Sequence, residues 1–248
     1  VNGFNFNVDG STAINGTSTY VNGKLLFNSV SGAKSFGGLI TIGKYGIWDN
    51  TVGVPVALGG GVSFSSVKPF VAGSGLYMFQ GAASQSIGGT YTLTIPNMEV
   101  AAGVNLTNAN SSAEGLTVTT TLSGLGTLTQ GGNSILNISV PDAQFTLSNL
   151  VASASGNTVN YNGTAQTVRP VIYHNLTLST SGIKTITGVT TVNGNLVMSG
   201  STSATTVANL SIGGNLTVGG SASLTVGPHD ITVTGTTPVS GQLTPASN

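Results

Sequence analysis

Hydrophobic and polar residues follow a pattern that repeats every twenty residues over the range 175–233. The segment NLTL at 175–178 is followed by NLVM at 195–198 and by NLTV at 215–218. Successive side chains of an extended strand point to opposite sides, so Leu178 is predicted to point inward and Thr177 outward. We therefore expect Met198 and Val218 to stack on Leu178.

A fixed period in the twenties, built from short alternating segments separated by Gly, Asn and Ser, predicts a β-solenoid. Each repeat of about twenty residues would form one coil of three short strands, and coils would stack at about 4.8 Å. The same step predicts two further columns: Ile186, Thr206 and Val226 in one, and Val192, Ile212 and Thr232 in the other. Asn residues at the bends are expected to stack as a ladder.

The predicted fold class is all-β, a right-handed parallel β-solenoid of about ten to twelve coils, because no window shows helical periodicity with suitable caps. Residues 1–10 are predicted to form an N-terminal strand. Residues 11–235 would form one continuous solenoid, with wider, aromatic-rich coils to about residue 110 and regular twenty-residue coils over 174–235. Residues 236–248, which contain two prolines, are predicted to be a tail or a cap.

The two ends of the chain contain the candidate subunit contacts. Phe4, Phe6 and Val8 alternate with polar residues and share one face of a predicted strand. This strand is either the first rung of the solenoid or a strand donated to the next molecule by β-augmentation. Ile231 and Val233 are the matching candidates near the other end.

The composition favours a protein that assembles. Charged residues are 5% of the chain and the formal net charge is zero, so neither a disordered chain nor a nucleic-acid-binding protein is indicated. A neutral surface resists self-association poorly. There is no Cys, which excludes disulfides and thiolate metal sites. No apolar run approaches the length of a membrane span, and a start at Val1 fits a processed secreted chain.

Four segments carry a family resemblance. They are NYNGTAQTV at 160–168, YHNLTL at 173–178, VNGNLVMSG at 192–200 and GNLTVGG at 214–220. These segments resemble repeats of large secreted surface proteins of Bacteroidota-type bacteria, which are similar in shape to filamentous haemagglutinins. The resemblance covers 157–235 well and 27–140 loosely. It implies a right-handed parallel β-helix and a secreted or cell-surface location, in proteins that serve as adhesins, fibres or surface layers.

The sequence contains no evident catalytic or metal-binding constellation. A twenty-residue step brings no two of the six acidic residues together, although Asp142 could approach Arg169 or Lys184 on successive coils. His174 and His229 are isolated, and two histidines without converging acids do not form a metal site. We therefore predict a protein that is not an enzyme and has no cofactor.

These observations favour a secreted structural subunit that stacks end to end with copies of itself into an extracellular fibre. One alternative is a module that binds or cleaves polysaccharide, with Tyr45, Trp48 and Asp49 as its carbohydrate contacts. A further alternative is a monomeric adhesin or an ice-binding solenoid that uses outward threonines such as Thr117 and Thr119. The expected partners are other copies of the chain, and a cell surface or polysaccharide, but not nucleic acid.

Overall fold

The structure is a computed structural model that describes residues 3–245. It confirms an all-β fold of parallel sheets stacked as a β-solenoid, with about 11 turns of about 21 residues. Within the described residues, the helical structure is limited to the short 3-10 turn Asp142–Gln144. The right-handed sense of the coil stays a prediction, in line with the strong preference of parallel crossover connections.

The chain divides into two compact units. The first contains Val1–Thr129 and Gln144–Asn149, and the second contains Gln130–Ala143 and Leu150–Asn248. Each unit is described by itself below. The continuity predicted for residues 11–235 stays a prediction.

The first unit is built from short strands. They are β1 (Phe6–Val8), β2 (Thr12–Ile14), β3 (Gly23–Leu26), β4 (Lys34–Phe36), β5 (Ile40–Ile42), β6 (Gly46–Asp49), β7 (Val56–Leu58), β8 (Val62–Phe64), β9 (Phe70–Val71), β10 (Leu76–Phe79), β11 (Ser84–Gly89), β12 (Leu93–Thr94), β13 (Asn97–Val100), β14 (Asn105–Asn110), β15 (Leu116–Val118), β16 (Thr121–Ser123) and β17 (Thr127–Gln130). The last residue of β17 belongs to the second unit.

Every third strand of the early coils belongs to the same wall. One wall has the order β1-β4-β7-β10-β13-β16, a second contains β2, β5, β8, β11, β14 and β17, and a third has the order β3-β6-β9. The strand pairs are parallel, and Phe6 pairs with Lys34 while Tyr77 pairs with both Val56 and Met98. The number of residues from Phe6 to its partner Lys34 is therefore larger than the number from Val56 to Tyr77 or from Tyr77 to Met98.

Aromatic rings fill the inside of the early coils. The Trp48 ring lies 5.1 Å from Phe27, 5.5 Å from Phe36 and 5.5 Å from Phe70, measured between ring centroids. Trp48 Nε1 donates a hydrogen bond of 2.8 Å to the hydroxyl of Tyr77. Because its polar atom has a partner inside the core, the tryptophan can be fully buried at low cost.

The second unit continues with shorter repeats. Its strands, in chain order, are β18 (Ile135–Ile138), β19 (Asn149–Val151, at the boundary), β20 (Thr158–Tyr161), β21 (Gln166–Thr167), β22 (Asn175–Leu178), β23 (Ser181–Thr185), β24 (Thr191–Val192), β25 (Leu196–Met198), β26 (Ser201–Thr205), β27 (Leu210–Ile212), β28 (Leu216–Val218), β29 (Ser223–Thr225), β30 (Ile231–Val233) and β31 (Gln242–Thr244). Its walls have the orders β18-β20-β22-β25-β28, β21-β23-β26-β29-β31 and β24-β27-β30.

The twenty-residue register is confirmed in the second unit. Leu178 pairs with Met198, and Met198 pairs with Val218, all three being buried. The column predicted to end at Thr232 is wrong, because Ile212 pairs with Val233 instead. The last coil contains one extra residue, which moves Thr232 to an exposed outward position.

The predicted asparagine ladder is also confirmed. The Asn175 Oδ1 atom accepts a hydrogen bond of 2.9 Å from the backbone N–H of Asn195, whose own Oδ1 accepts one of 2.8 Å from Asn215. Asn215 Oδ1 then accepts the N–H of Thr236 at 2.8 Å. Each bend is thus tied to the next by a side-chain acceptor at the same position of the repeat.

At several corners, which are the bends between consecutive strands, buried polar side chains form hydrogen bonds to backbone carbonyls. The sequence did not predict this feature. In the first unit, Lys34 Nζ donates to the carbonyl oxygens of Phe4 at 2.8 Å, Ser31 at 2.9 Å and Gly32 at 3.1 Å. Gln85 folds back in the same way onto the carbonyl of Gln80, at 2.8 Å. These donors satisfy backbone carbonyls that a bend removes from the strand ladder.

The second unit has two corners of the same kind. Gln166 Nε2 donates to the carbonyls of Ile138 at 2.8 Å and Val140 at 3.1 Å. Lys184 Nζ donates to the carbonyl of Gly163 and, at 3.0 Å, to Gln166 Oε1. Burial lowers the pKa of Lys184 from its ordinary 10.5 to about 8.

Candidate assembly surfaces

In the described part of unit 1, the first coil, which contains β1, β2 and β3, presents an edge of unpaired backbone. Among the described residues, β1, β2 and β3 each stand at the end of their wall's strand order. The N–H of Phe6 and the C=O of Val8 bond to the next coil, at Ala33 and Gly37. In a parallel strand, alternate residues direct their backbone groups to opposite sides. Asn7 therefore directs its N–H and C=O away from the rest of the unit.

This first coil also exposes apolar side chains. A cavity of about 270 Å³ opens between its three strands, lined by Phe6, Ile14 and Leu25 among others. Phe4 is 81% exposed and Tyr20 is 95% exposed. Of the fourteen large exposed apolar residues among the described residues, five lie within the first thirty positions. The apolar surface is therefore concentrated at this coil.

The candidate contacts Phe4, Phe6 and Val8 lie at this edge. Phe6 and Val8 are half-buried, because the coil covers them on one side only. The Phe6 ring packs edge-on against Phe36, with 5.8 Å between centroids. Strand β1 pairs with β4 of its own chain, so it forms the first rung, and no other strand of residues 3–245 pairs with its outer edge.

The last coil of unit 2 is the second apolar surface. A cavity of about 490 Å³ is lined by Leu216, Val226, Ile231, Val233 and Leu243, with His229, Asp230, Thr237 and Pro245 completing it. The candidate contacts Ile231 and Val233 pair with the preceding coil through β27 and are half-buried. They line the cavity together with inward residues of the neighbouring strands.

The segment predicted as a tail or cap adds strand pairing to this coil. The N–H of Val218 donates to the carbonyl of Pro238 at 3.1 Å, and β31 pairs in parallel with β29. Pro238 has no N–H but takes part through its carbonyl. The last part of the predicted segment, 246–248, lies outside the described residues.

The carbohydrate contact predicted at Trp48 is wrong. Trp48 is 1% exposed and points into the core, because it occupies the inward position of β6 opposite Leu25. A ring enclosed by other rings cannot stack on a sugar. Tyr45 is half-buried, with Lys44 Nζ 5.3 Å from its ring centroid.

Asp49, the third predicted carbohydrate contact, has structural partners. Its carboxylate pairs with Lys24 Nζ at 2.7 Å and accepts the Thr51 hydroxyl at 2.6 Å. The Lys24 ammonium, followed by the Thr51 hydroxyl, holds the pKa of Asp49 below its usual range. This carboxylate is therefore tied to the neighbouring strand β3 through Lys24.

The remaining acidic candidate, Asp142, fixes a strand. Its two carboxylate oxygens accept hydrogen bonds from the Thr167 N–H at 2.7 Å and the Thr167 hydroxyl at 2.6 Å. Within residues 3–245, no group of three or more His, Asp or Glu side chains lies close enough together to hold a metal ion. The same residues contain no helix that is long and apolar enough to cross a membrane.

Outward threonines form a more regular row than the sequence suggested. Thr117 points outward beside Thr94, but the longer row lies in the wall of β21, β23, β26, β29 and β31. Its members occupy the same outward column, and they are Thr167, Thr185, Thr205, Thr225 and Thr244. Aligning the twenty-residue repeats over Thr185, Thr205 and Thr225 would have revealed it. The row provides polar surface without charge.

The comparisons with other proteins add no identity to this picture. No family model, curated protein or solved structure matches the chain. The β-solenoid fold is consistent with β-helical repeat proteins.

Proposed function

We propose that the protein is a non-catalytic structural subunit that stacks head to tail into an extracellular or cell-surface fibre. The observation that carries this proposal is the pair of apolar cavities on the first coil of unit 1 and the last coil of unit 2. Each cavity lies at the end of inward rows of side chains. In the part of the chain that the structure describes, each also lies beside a strand edge whose outward backbone groups have no partner strand. A second copy of the chain is an occupant that supplies matching rows and matching edges.

The two surfaces differ from each other, so the contact is heterologous. A heterologous contact whose rotation does not close a ring produces an open filament. Solenoids that remain monomeric normally have polar capping repeats. The first coil instead exposes Phe4 and Tyr20, which favours association.

The location is part of the same proposal. The resemblance of 157–235 to repeats of secreted surface proteins of Bacteroidota-type bacteria supports a place outside the cell. A chain with only 5% charged residues and no net charge also favours self-association over a dispersed monomer.

Electron microscopy and sedimentation of the purified 248-residue chain test the proposal. We expect filaments, with a sedimentation coefficient that increases with protein concentration. The substitution Val233→Asp should shorten or abolish the filaments, because it places a charge in the apolar cavity of the last coil.

Leu125→Asp is the matched control, since Leu125 is 72% exposed and lies outside both cavities. This variant should form filaments like the parent chain. Circular dichroism should show the same β-sheet content in both variants. A parent chain that stays a monodisperse monomer at high concentration would refute the proposal.

A further inference from the structure

Strands β1 and β30 have the same incomplete burial pattern. Both contain three residues, apolar-polar-apolar, and in both the apolar residues are half-buried while the middle residue is exposed. In the stacked strands Val56–Leu58 and Leu210–Ile212, the corresponding end residues are fully buried. Among residues 3–245, therefore, no strand covers the outer side of either β1 or β30.

The backbone groups of the two strands are complementary in direction. The carbonyl of Asp230 and the N–H of Thr234 bond to the preceding coil, at Leu210 and Ile212. By the alternation of parallel strands, Ile231 and Val233 direct their N–H and C=O groups the other way. Asn7 directs its own groups outward from the first coil, as described above.

The order of the walls selects which strands would meet. In unit 2 the chain leaves β30 and next crosses the wall that contains β28, where Val239 forms a bridge to Val218. It then forms β31 on the wall that contains β29. The next coil would start again on the wall of β30. A second copy that continues the coil begins with β1, so its β1 would lie over β30.

We propose that β1 of one copy pairs in parallel with β30 of the next, with Phe6 over Ile231 and Val8 over Val233. In this register the N–H of Asn7 donates to the carbonyl of Ile231, and the carbonyl of Asn7 accepts the N–H of Val233. Both the inward apolar rows and the backbone ladder then continue without a shift. This inference rests on the proposed head-to-tail stacking and specifies its contact.

Cysteine cross-linking tests the register, and the natural chain contains no cysteine that could interfere. The register places Asn7 opposite Thr232, and both are exposed outward positions. Neighbouring strands lie about 4.8 Å apart, which falls within the Cα–Cα range of a disulfide. We expect the variant Asn7→Cys/Thr232→Cys to form a ladder of covalent oligomers on a non-reducing gel after mild oxidation.

The control variant, Asn7→Cys/Gln242→Cys, keeps the first cysteine and moves the second to the exposed Gln242 of β31, on the adjacent wall. It should give no ladder, and circular dichroism should show that both variants fold. The register would be overturned, and the fibre function left intact, if the parent chain forms filaments but the two cysteine variants give equal ladders. The same holds if only the control gives a ladder, or if neither variant does. A parent chain without filaments would instead overturn the proposed function.

Discussion

Lys34 and Lys184 are buried, although a lysine normally keeps its ammonium group in water. Their hydrogen bonds to corner carbonyls explain how they are accommodated. Burial favours the neutral form of an amine, and it lowers the pKa of Lys184 to about 8 although the negative charge of Asp142 acts in the opposite direction. The residue at this corner therefore links the stability of the second unit to pH.

We predict that the free energy of unfolding increases by about 1–2 kcal/mol from about pH 8 to about pH 9.5. Across this window the unfolded chain keeps most of the Lys184 proton, because the ordinary pKa is 10.5, while the folded chain, with a pKa of about 8, progressively loses it. Stability rises with pH wherever the unfolded state binds more protons. Urea unfolding of the parent chain and of Lys184→Met measures the effect, and the variant should lose the slope.

Lys44→Met is the matched control, because Lys44 is exposed. This variant should keep the pH dependence of the parent chain. If Lys184→Met retained the full slope, the buried amine would not be its source.

Trp48 shows that a residue's role depends on whether its side chain points into the core or toward solvent. Alternation within the sequence Gly-Ile-Trp-Asp allows either Ile47 or Trp48 to point inward. The structure places Trp48 inward, where its ring packs against four other aromatic rings and its N–H donates a hydrogen bond to the Tyr77 hydroxyl. Sequence reasoning could not choose, because the early coil steps vary in length and no repeated partner fixes the side.

At the scale of elements, the asparagine ladder ties successive bends together. Asn195→Ala should lower the free energy of unfolding by about 1 kcal/mol, because the N–H of Asn215 loses its acceptor and gains only water. Amide hydrogen exchange at Asn215 should become faster. Chemical denaturation and exchange mass spectrometry measure the two effects.

Ser211→Ala serves as the comparison for this ladder variant. Ser211 is also exposed and lies on a neighbouring strand of the same coil, β27. It should leave both stability and exchange at Asn215 nearly unchanged. Equal effects of the two substitutions would mean that the ladder contributes nothing specific.

The regular coils were the part of the fold that the sequence predicted best. A constant step fixes the side and the register of each strand at once, so Leu178, Met198 and Val218 were placed correctly. The step fails where the last coil gains a residue, which is why Val233 and not Thr232 stacks on Ile212. The buried corner residues could not be foreseen, because Lys in an alternating segment normally indicates an outward position.

At the scale of the whole molecule, each coil of the second unit contacts mainly its neighbours, as in other solenoids. Removing one complete coil, residues 195–214, should therefore leave a folded protein. The deletion joins Gly194 to Asn215 and restores the native Gly-Asn-Leu sequence, so Leu216 would stack on Leu176. Circular dichroism and thermal unfolding should show a cooperative β protein with slightly lower stability.

Deleting only 195–204 is the control for this experiment. It removes half a coil and places unlike walls over one another, so inward residues would lose their rows. This shorter deletion should unfold the second unit or make it aggregate. A longer deletion that is as damaging as the shorter one would contradict the independence of the coils.

The difference between β1 and β30 extends beyond a single contact. A fibre built from this chain would have a direction, since one tip would present the Phe6–Val8 rung and the other the Ile231–Val233 rung. Incoming subunits would meet a different surface at each tip, so elongation would proceed at unequal rates. A short peptide with the sequence of β1 would bind only the tip that presents Ile231–Val233, and would block growth at that tip alone.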